Sequence, residues 1–103
     1  MCQTNKNLLD AEVCLNSLNS NNKYYLFNDE IIVCNEKQNI IKTIPPPSNY
    51  KGAFAKHMLP SFHIMYYRNN YLAVVVGNRW NEEFLFELDE NKLELSEDFH
   101  PYR

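Results

Sequence analysis

Glycine is scarce in this chain, with two in 103 residues. Tight turns usually draw on glycine because it enters positive φ without a steric penalty. A fold rich in glycine turns is therefore excluded. Asparagine, with fifteen copies, is expected to do that work, since its short polar side chain tolerates the left-handed conformation. No apolar run reaches the roughly 18 residues of a membrane-spanning helix. Residues 1–20 also lack the continuous apolar stretch of about 7–15 residues that marks a secretory signal. None of the asparagines stands in an Asn-x-Ser/Thr sequence, so nothing points to glycosylation. Cysteine is limited to Cys2, Cys14 and Cys34. Three cannot all pair within one chain, and their spacing lacks the close pairs of a zinc site. They read as reduced thiols, with Cys14 and Cys34 as small core residues, and a cytosolic compartment is expected.

What is present points to a single β-rich domain. The hydrophobic share of 45 % excludes disorder over most of the length. Seven Tyr and six Phe suit pleated sheets, where flat rings pack well. Residues 8–18 are ambiguous: Leu8, Ala11, Leu15 and Leu18 have helical spacing, while Ala11, Val13 and Leu15 alternate as in a strand. Residues 24–27, 30–34 and 40–44 then read as strands joined by short polar turns, an antiparallel meander over about 8–44. Pro45, Pro46 and Pro47 end it, because proline cannot donate to a ladder. Residues 45–61 form a connection with at most a helical turn at 53–58. A second meander over 62–96 is expected from strands at 62–67, 71–76, 83–88 and 92–96, followed by an irregular tail at 97–103. In the third of these strands Phe84, Phe86 and Leu88 alternate with Glu83, Leu85 and Glu87, so one face looks buried and the other carries acid. The fold class is thus all-β, with the two meanders forming blades, a sandwich or a half-barrel.

The meanders share a weak internal repeat of about 40 residues. Residues 23–33 and 63–74 both run from an aromatic strand through an Asn turn to a β-branched return. The first meander resembles a hemopexin-type propeller repeat through Asp10-Ala11, Lys23, Tyr24, Phe27 and Asp29. It departs from that repeat in having Asn28 before the turn aspartate, and the second meander has no Asp-Ala pair. The resemblance favours a strand over Ala11 to Leu15. It implies a ligand-binding module that works as a dimer completing a four-bladed ring.

Catalytic signatures are sparse. His57 and His63 with Lys56 could serve acid–base hydrolysis, but nothing in the spacing of His57, His63 and His100 aims them at one point. Glu83 and Glu87 are about 13 Å apart along a strand, too far for a retaining glycosidase pair. Asp89, Glu90 and Asn91 lack the alternating oxygen ligands of a calcium loop. No enzyme activity, metal or cofactor is expected.

Charge is the informative feature. Residues 81–103 hold Glu82, Glu83, Glu87, Asp89, Glu90, Glu94, Glu97 and Asp98 against Lys92 and Arg103 alone. The first 80 residues hold five acids against eight Lys and Arg. The overall charge of −3 argues against a nucleic-acid partner, because phosphate contact needs a basic face and the acidic segment would repel a polyanion. Like charges at this density repel one another, and a cationic partner would relieve that repulsion and speed encounter. Trp80, Tyr102 and Phe99 flank the acids as interface anchors would.

In short length, acidic surface, asparagine-rich composition and absence of a catalytic signature, the chain is similar to the immunity proteins of bacterial toxin–immunity pairs, including those of contact-dependent growth inhibition. That resemblance implies an intracellular inhibitor of a basic toxin, a nuclease (RNase) domain being the expected target. The acids would cover the toxin's cationic cleft, and the inhibitor would act as a monomer, away from any membrane.

Overall fold

The structure is a computed structural model that describes residues 6–47, 54 and 56–102. It contains two antiparallel sheets. The first comprises β1 (Val13–Asn16), β2 (Lys23–Leu26), β3 (Ile31–Cys34) and β4 (Ile40–Ile44), arranged in sequence order. The second comprises β5 (Ser61–Arg68), β6 (Tyr71–Gly77), β7 (Glu83–Asp89) and two short segments, β8 (Glu94–Leu95) and β9 (His100–Pro101). Neither sheet closes on itself. Helical geometry among the described residues is confined to 3-10 turns, including Leu8–Asp10 and Lys56–Met58. The ambiguity over residues 8–18 thus resolves into a short turn, opened by the Asn7 side chain accepting from Leu9 N–H, followed by an edge strand.

Asparagine does part of the turn work, and Gln38, Leu59 and Leu93 also take positive φ. Asn69 and Asn81 take positive φ of 57° and 62°. Asn35 Oδ1 accepts from the Lys37 and Asn39 amides at 3.0 Å, closing the β3–β4 turn. Asn78, the one buried polar residue among the described residues, accepts from Trp80 N and Glu82 N and so organises the β6–β7 turn.

The inner faces of both sheets meet in one core. Tyr24, Leu26, Ile31, Val33 and Ile44 come from the first sheet, and Phe62, Met65, Leu72, Val74, Val76, Phe86 and Leu88 from the second. Burying these side chains is the main favourable contribution to folding, about 1.5–3 kcal/mol for each large one. Phe54, from the connection, lies edge-on to Phe84, Phe86 and Phe99 with centroids 5.0–5.3 Å apart. Phe99 also stacks on Phe86. Of the two roles open to Phe99 in the sequence, rim anchor or core, the structure places it partly buried against the core.

Three expectations are corrected. Residues 97–102 are irregular except at His100–Pro101, where an unexpected short strand forms. The chain returns along the β7 edge, pairing Leu85 with His100 and Phe84 with Pro101, and burial of Phe99 holds it there. The last meander strand is Glu94–Leu95 only, because Leu93 turns at φ 55° with its amide on Asp89 C=O. Cys14 is exposed while Cys34 is buried. β1 is an edge strand covered on one face, so Val13 and Leu15 point inward and Cys14 alternates out. Cys2 lies outside the described residues.

The internal repeat is local. Residues 23–33 supply the second and third strands of their sheet, whereas 63–74 supply the first and second of theirs. The two hairpins look alike in sequence but occupy different positions in their meanders.

Candidate functional site

β7 lies inside the second sheet, between β6 and the β8–β9 edge, and most of the acids sit on it or beside it. Strand alternation places Glu83, Leu85, Glu87 and Asp89 on its outer side. That side is not simply acidic. Leu85, Ala73 and Val75 are buried on it beneath Tyr66, Tyr71 and Tyr102. The rings form a lid over a floor of small and branched side chains. Burial, together with the Tyr102 hydroxyl beside it, holds the Tyr66 hydroxyl above its ordinary range.

Beside this lid, a hollow of about 520 Å³ is bordered by Tyr71, Glu87, Asp89, Lys92, Glu94 and Glu97. A smaller one joins Glu87 and Asp98 to Tyr71 and His100. A third, at the other end of β7, is walled by Glu82, Glu83, Phe84 and Tyr102. The acids thus line one strand and its edge. Among the described residues Lys6 is ion-paired with Asp29 and Glu30, and His63 is hydrogen-bonded to Glu83. Lys92 borders the larger hollow, but no lysine or arginine among the described residues forms an ion pair with the acids of 81–102.

Several of these acids nonetheless have partners within the chain. Glu90, expected on the docking surface, lines the larger hollow and is at the same time a clasp between the sheets. Its Oε1 accepts from Ser17 Oγ at 2.7 Å, Tyr24 OH at 2.8 Å and Tyr67 OH at 2.9 Å, and its Oε2 from Asn19 Nδ2 at 2.7 Å. Burial pushes the Glu90 carboxyl up, but the bonds from Ser17, Tyr24, Asn19 and Tyr67 outweigh it and hold the group below the usual carboxylate range. Burial, reinforced by the adjacent carboxylate, raises the Tyr24 hydroxyl strongly. Asp89 Oδ1 accepts from the Asn91 and Lys92 amides and shapes the β7–β8 turn. Glu82 Oε1 accepts from Asn78 Nδ2 at 3.0 Å. Glu83 Oε2 lies 2.8 Å from His63 Nδ1. Glu87, Glu94, Glu97 and Asp98 are exposed.

Of the aromatic residues expected at the rim, Trp80 is 66 % exposed on the β6–β7 turn, and Tyr102 is half-buried in the lid. The histidines are not assembled as a pair. His57 offers its carbonyl to Arg79 Nη1, while His63 has Ser61 and Glu83 as hydrogen-bond partners. Sequence reasoning missed Tyr66, Tyr71 and Ser61. The signal for the tyrosines was the two-residue Asn69-Asn70 turn, which pairs Arg68 with Tyr71 and Tyr66 with Ala73 and so puts both rings on one face; Ser61 lies beyond the bulge at His63, which shifts the register there.

No group of three or more potential metal-binding side chains occurs among the described residues. No helix among them is long and apolar enough to cross a membrane. No family model matches the chain, and no curated protein or solved structure is detectably similar to it.

Proposed function

We propose that this protein binds a basic protein toxin, a nuclease domain, and blocks it by covering its cationic cleft, in the manner of an immunity protein. The observation that carries this reading is the hollow bordered by Glu87, Asp89, Glu94 and Glu97 beside the tyrosine lid. Carboxylates held in a concave surface attract lysine and arginine side chains that would otherwise hold phosphate. Tyrosines bring large contact area at low conformational cost. Exposed Trp80, on the turn that leads into β7, adds a further large aromatic side chain near the Glu83 end of the strand. The inhibitor acts as a monomer in the cytoplasm and performs no chemistry on the toxin.

The test is co-expression with the C-terminal domain encoded by the adjoining upstream reading frame. Co-purification, with association that slows steeply as salt rises, is the expected result. A stable, basic domain from that frame that neither binds nor is neutralised would overturn the reading.

A second reading is favoured by the sequential strand order of the first sheet, which is that of a propeller blade. On it, two copies of the chain build a four-bladed ring that binds a ligand. Light scattering separates the two readings, because the ring requires a dimer at micromolar concentration.

A further inference from the structure

Ser61, Gly77 and Glu83 form one row across three neighbouring strands: β5 pairs Ser61 with Gly77, and β6 pairs Gly77 with Glu83. A bulge between Phe62 and Ile64 inserts His63 as an extra residue. It leaves His63 and Ile64 both exposed on the outer side, while Phe62 and Met65 turn inward. The imidazole then lies across Gly77. A Cβ at that position would stand 2.1 Å from His63 Cε1 and 2.5 Å from Nε2. Gly77 has no side chain to lift the ring, so His63 bridges its two neighbours in the row. Its Nδ1 is 2.8 Å from Glu83 Oε2, and its Nε2 is 3.3 Å from Ser61 Oγ.

In the neutral ring, Nδ1–H donates to the Glu83 carboxylate, and Nε2 is left as an acceptor facing the serine hydroxyl. A nucleophile, a base and a group that orients the base are thereby in hydrogen-bond sequence, the arrangement that activates serine on unrelated folds. The row is open to solvent, with about two-fifths of the His63 and Glu83 side chains exposed. At its Glu83 end it adjoins the hollow of about 350 Å³ walled by Phe84, Pro101 and Tyr102.

We propose that Ser61, His63 and Glu83 are a nucleophilic site for acyl transfer from small esters, independent of the toxin-binding reading. As Ser61 Oγ attacks the ester carbonyl carbon, its proton passes to His63 Nε2. The tetrahedral adduct collapses and the bond to the leaving alcohol breaks. The departing oxygen takes the proton from Nε2, and acyl-Ser61 remains. Water, deprotonated by the same nitrogen, attacks the acyl carbon, releases the acid and restores the serine. Glu83 keeps the ring in the productive tautomer and balances the imidazolium that forms.

The experiment is labelling of the full chain with a fluorophosphonate probe, located by peptide mass spectrometry. The expected result is stoichiometric modification of Ser61, absent in Ser61→Ala and at least about tenfold slower in His63→Ala. Glu83→Gln keeps a hydrogen-bond acceptor for Nδ1 but removes the charge, and is expected to slow labelling as well. Gly77→Ala leaves the chemistry of all three side chains unchanged but drives its methyl into the His63 ring, and should abolish labelling by displacing it. His57→Ala should label at the wild-type rate. Circular dichroism and thermal melting establish that each variant is folded. If Ser61 labels no faster than other exposed serines, or labels equally in folded His63→Ala, the row is a structural hydrogen-bond network and the proposal fails.

Discussion

Gly77 and His63 occupy the same space by division: the glycine supplies the floor and the imidazole lies on it, with 2.1 Å between Cε1 and the position a methyl group would take. Gly77→Ala must therefore move the ring, since the strand backbone beneath is held on both sides by β5 and β7. Because the displaced atoms are the outer end of a partly exposed side chain, the effect on stability is expected to stay within about 1 kcal/mol, measured by urea unfolding. The nuclear Overhauser contact between His63 Hε1 and Gly77 Hα should disappear, and its persistence in the variant would refute the placement of the ring.

Glu90 makes stability depend on acid. Its folded pKa lies below its unfolded value of about 4.3. The unfolded chain therefore binds the proton first as pH falls. The stabilisation is fully present above the unfolded value and disappears as pH drops through the lowered folded one. Glu90→Gln is expected to cost about 1–3 kcal/mol at neutral pH. It should also flatten the acid limb of a stability–pH curve. A variant as stable as the parent would show that the four donors gain nothing from the charge.

The docking acids separate from the clasp by experiment. Replacing Glu87, Glu94 and Glu97 by Gln and Asp98 by Asn removes exposed charge and spares the hydrogen bonds of Glu90, Glu83 and Asp89. Association with the proposed partner domain at low salt should slow by about tenfold or more, with most of its salt dependence lost. Thermal stability should hold or rise slightly. An unchanged association rate would move the docking surface elsewhere.

The aromatic cluster ties the end of the chain to the core. Phe99→Ala removes contacts to Phe54, Phe84 and Phe86 and should cost about 3–5 kcal/mol. Hydrogen exchange should rise first at Tyr102 N, which donates to Glu83 C=O. Equal protection of that amide in parent and variant would show that β9 is held by its own pairing alone.

The thiols should differ sharply. Cys14 is exposed and Cys34 is buried. Iodoacetamide under native conditions should alkylate Cys14 and leave Cys34 until the chain unfolds. Peptide mass spectrometry reads both sites, and early modification of Cys34 would contradict its place in the first sheet.

Much of the fold was legible because the local signals agree. Asn28-Asp29 and Asn69-Asn70 separate aromatic and β-branched runs, and each closes a two-strand turn. The alternation in 83–88 located the buried face through Phe86 and Leu88. The return of His100 and Pro101 to β7 was not legible, since two residues carry no period and proline argues against a ladder. The burial of Leu85 escaped for a related reason. Between two glutamates it reads as outward, and so it is, but tyrosines from β5, β6 and the end of the chain cover it.

The β class, the turn positions and the clustering of acid over 82–98 are all readable from residues a few places apart, because each follows from the chemistry of near neighbours. What each acid does follows from the packing of distant segments. Glu90 meets Ser17, Asn19, Tyr24 and Tyr67, and Glu83 meets a histidine displaced by a bulge. Glu87 meets none of these and borders an open hollow. A carboxylate's role depends on which donors folding brings within about 3 Å. That distance is set by the register and packing of two sheets, which no local stretch of residues encodes.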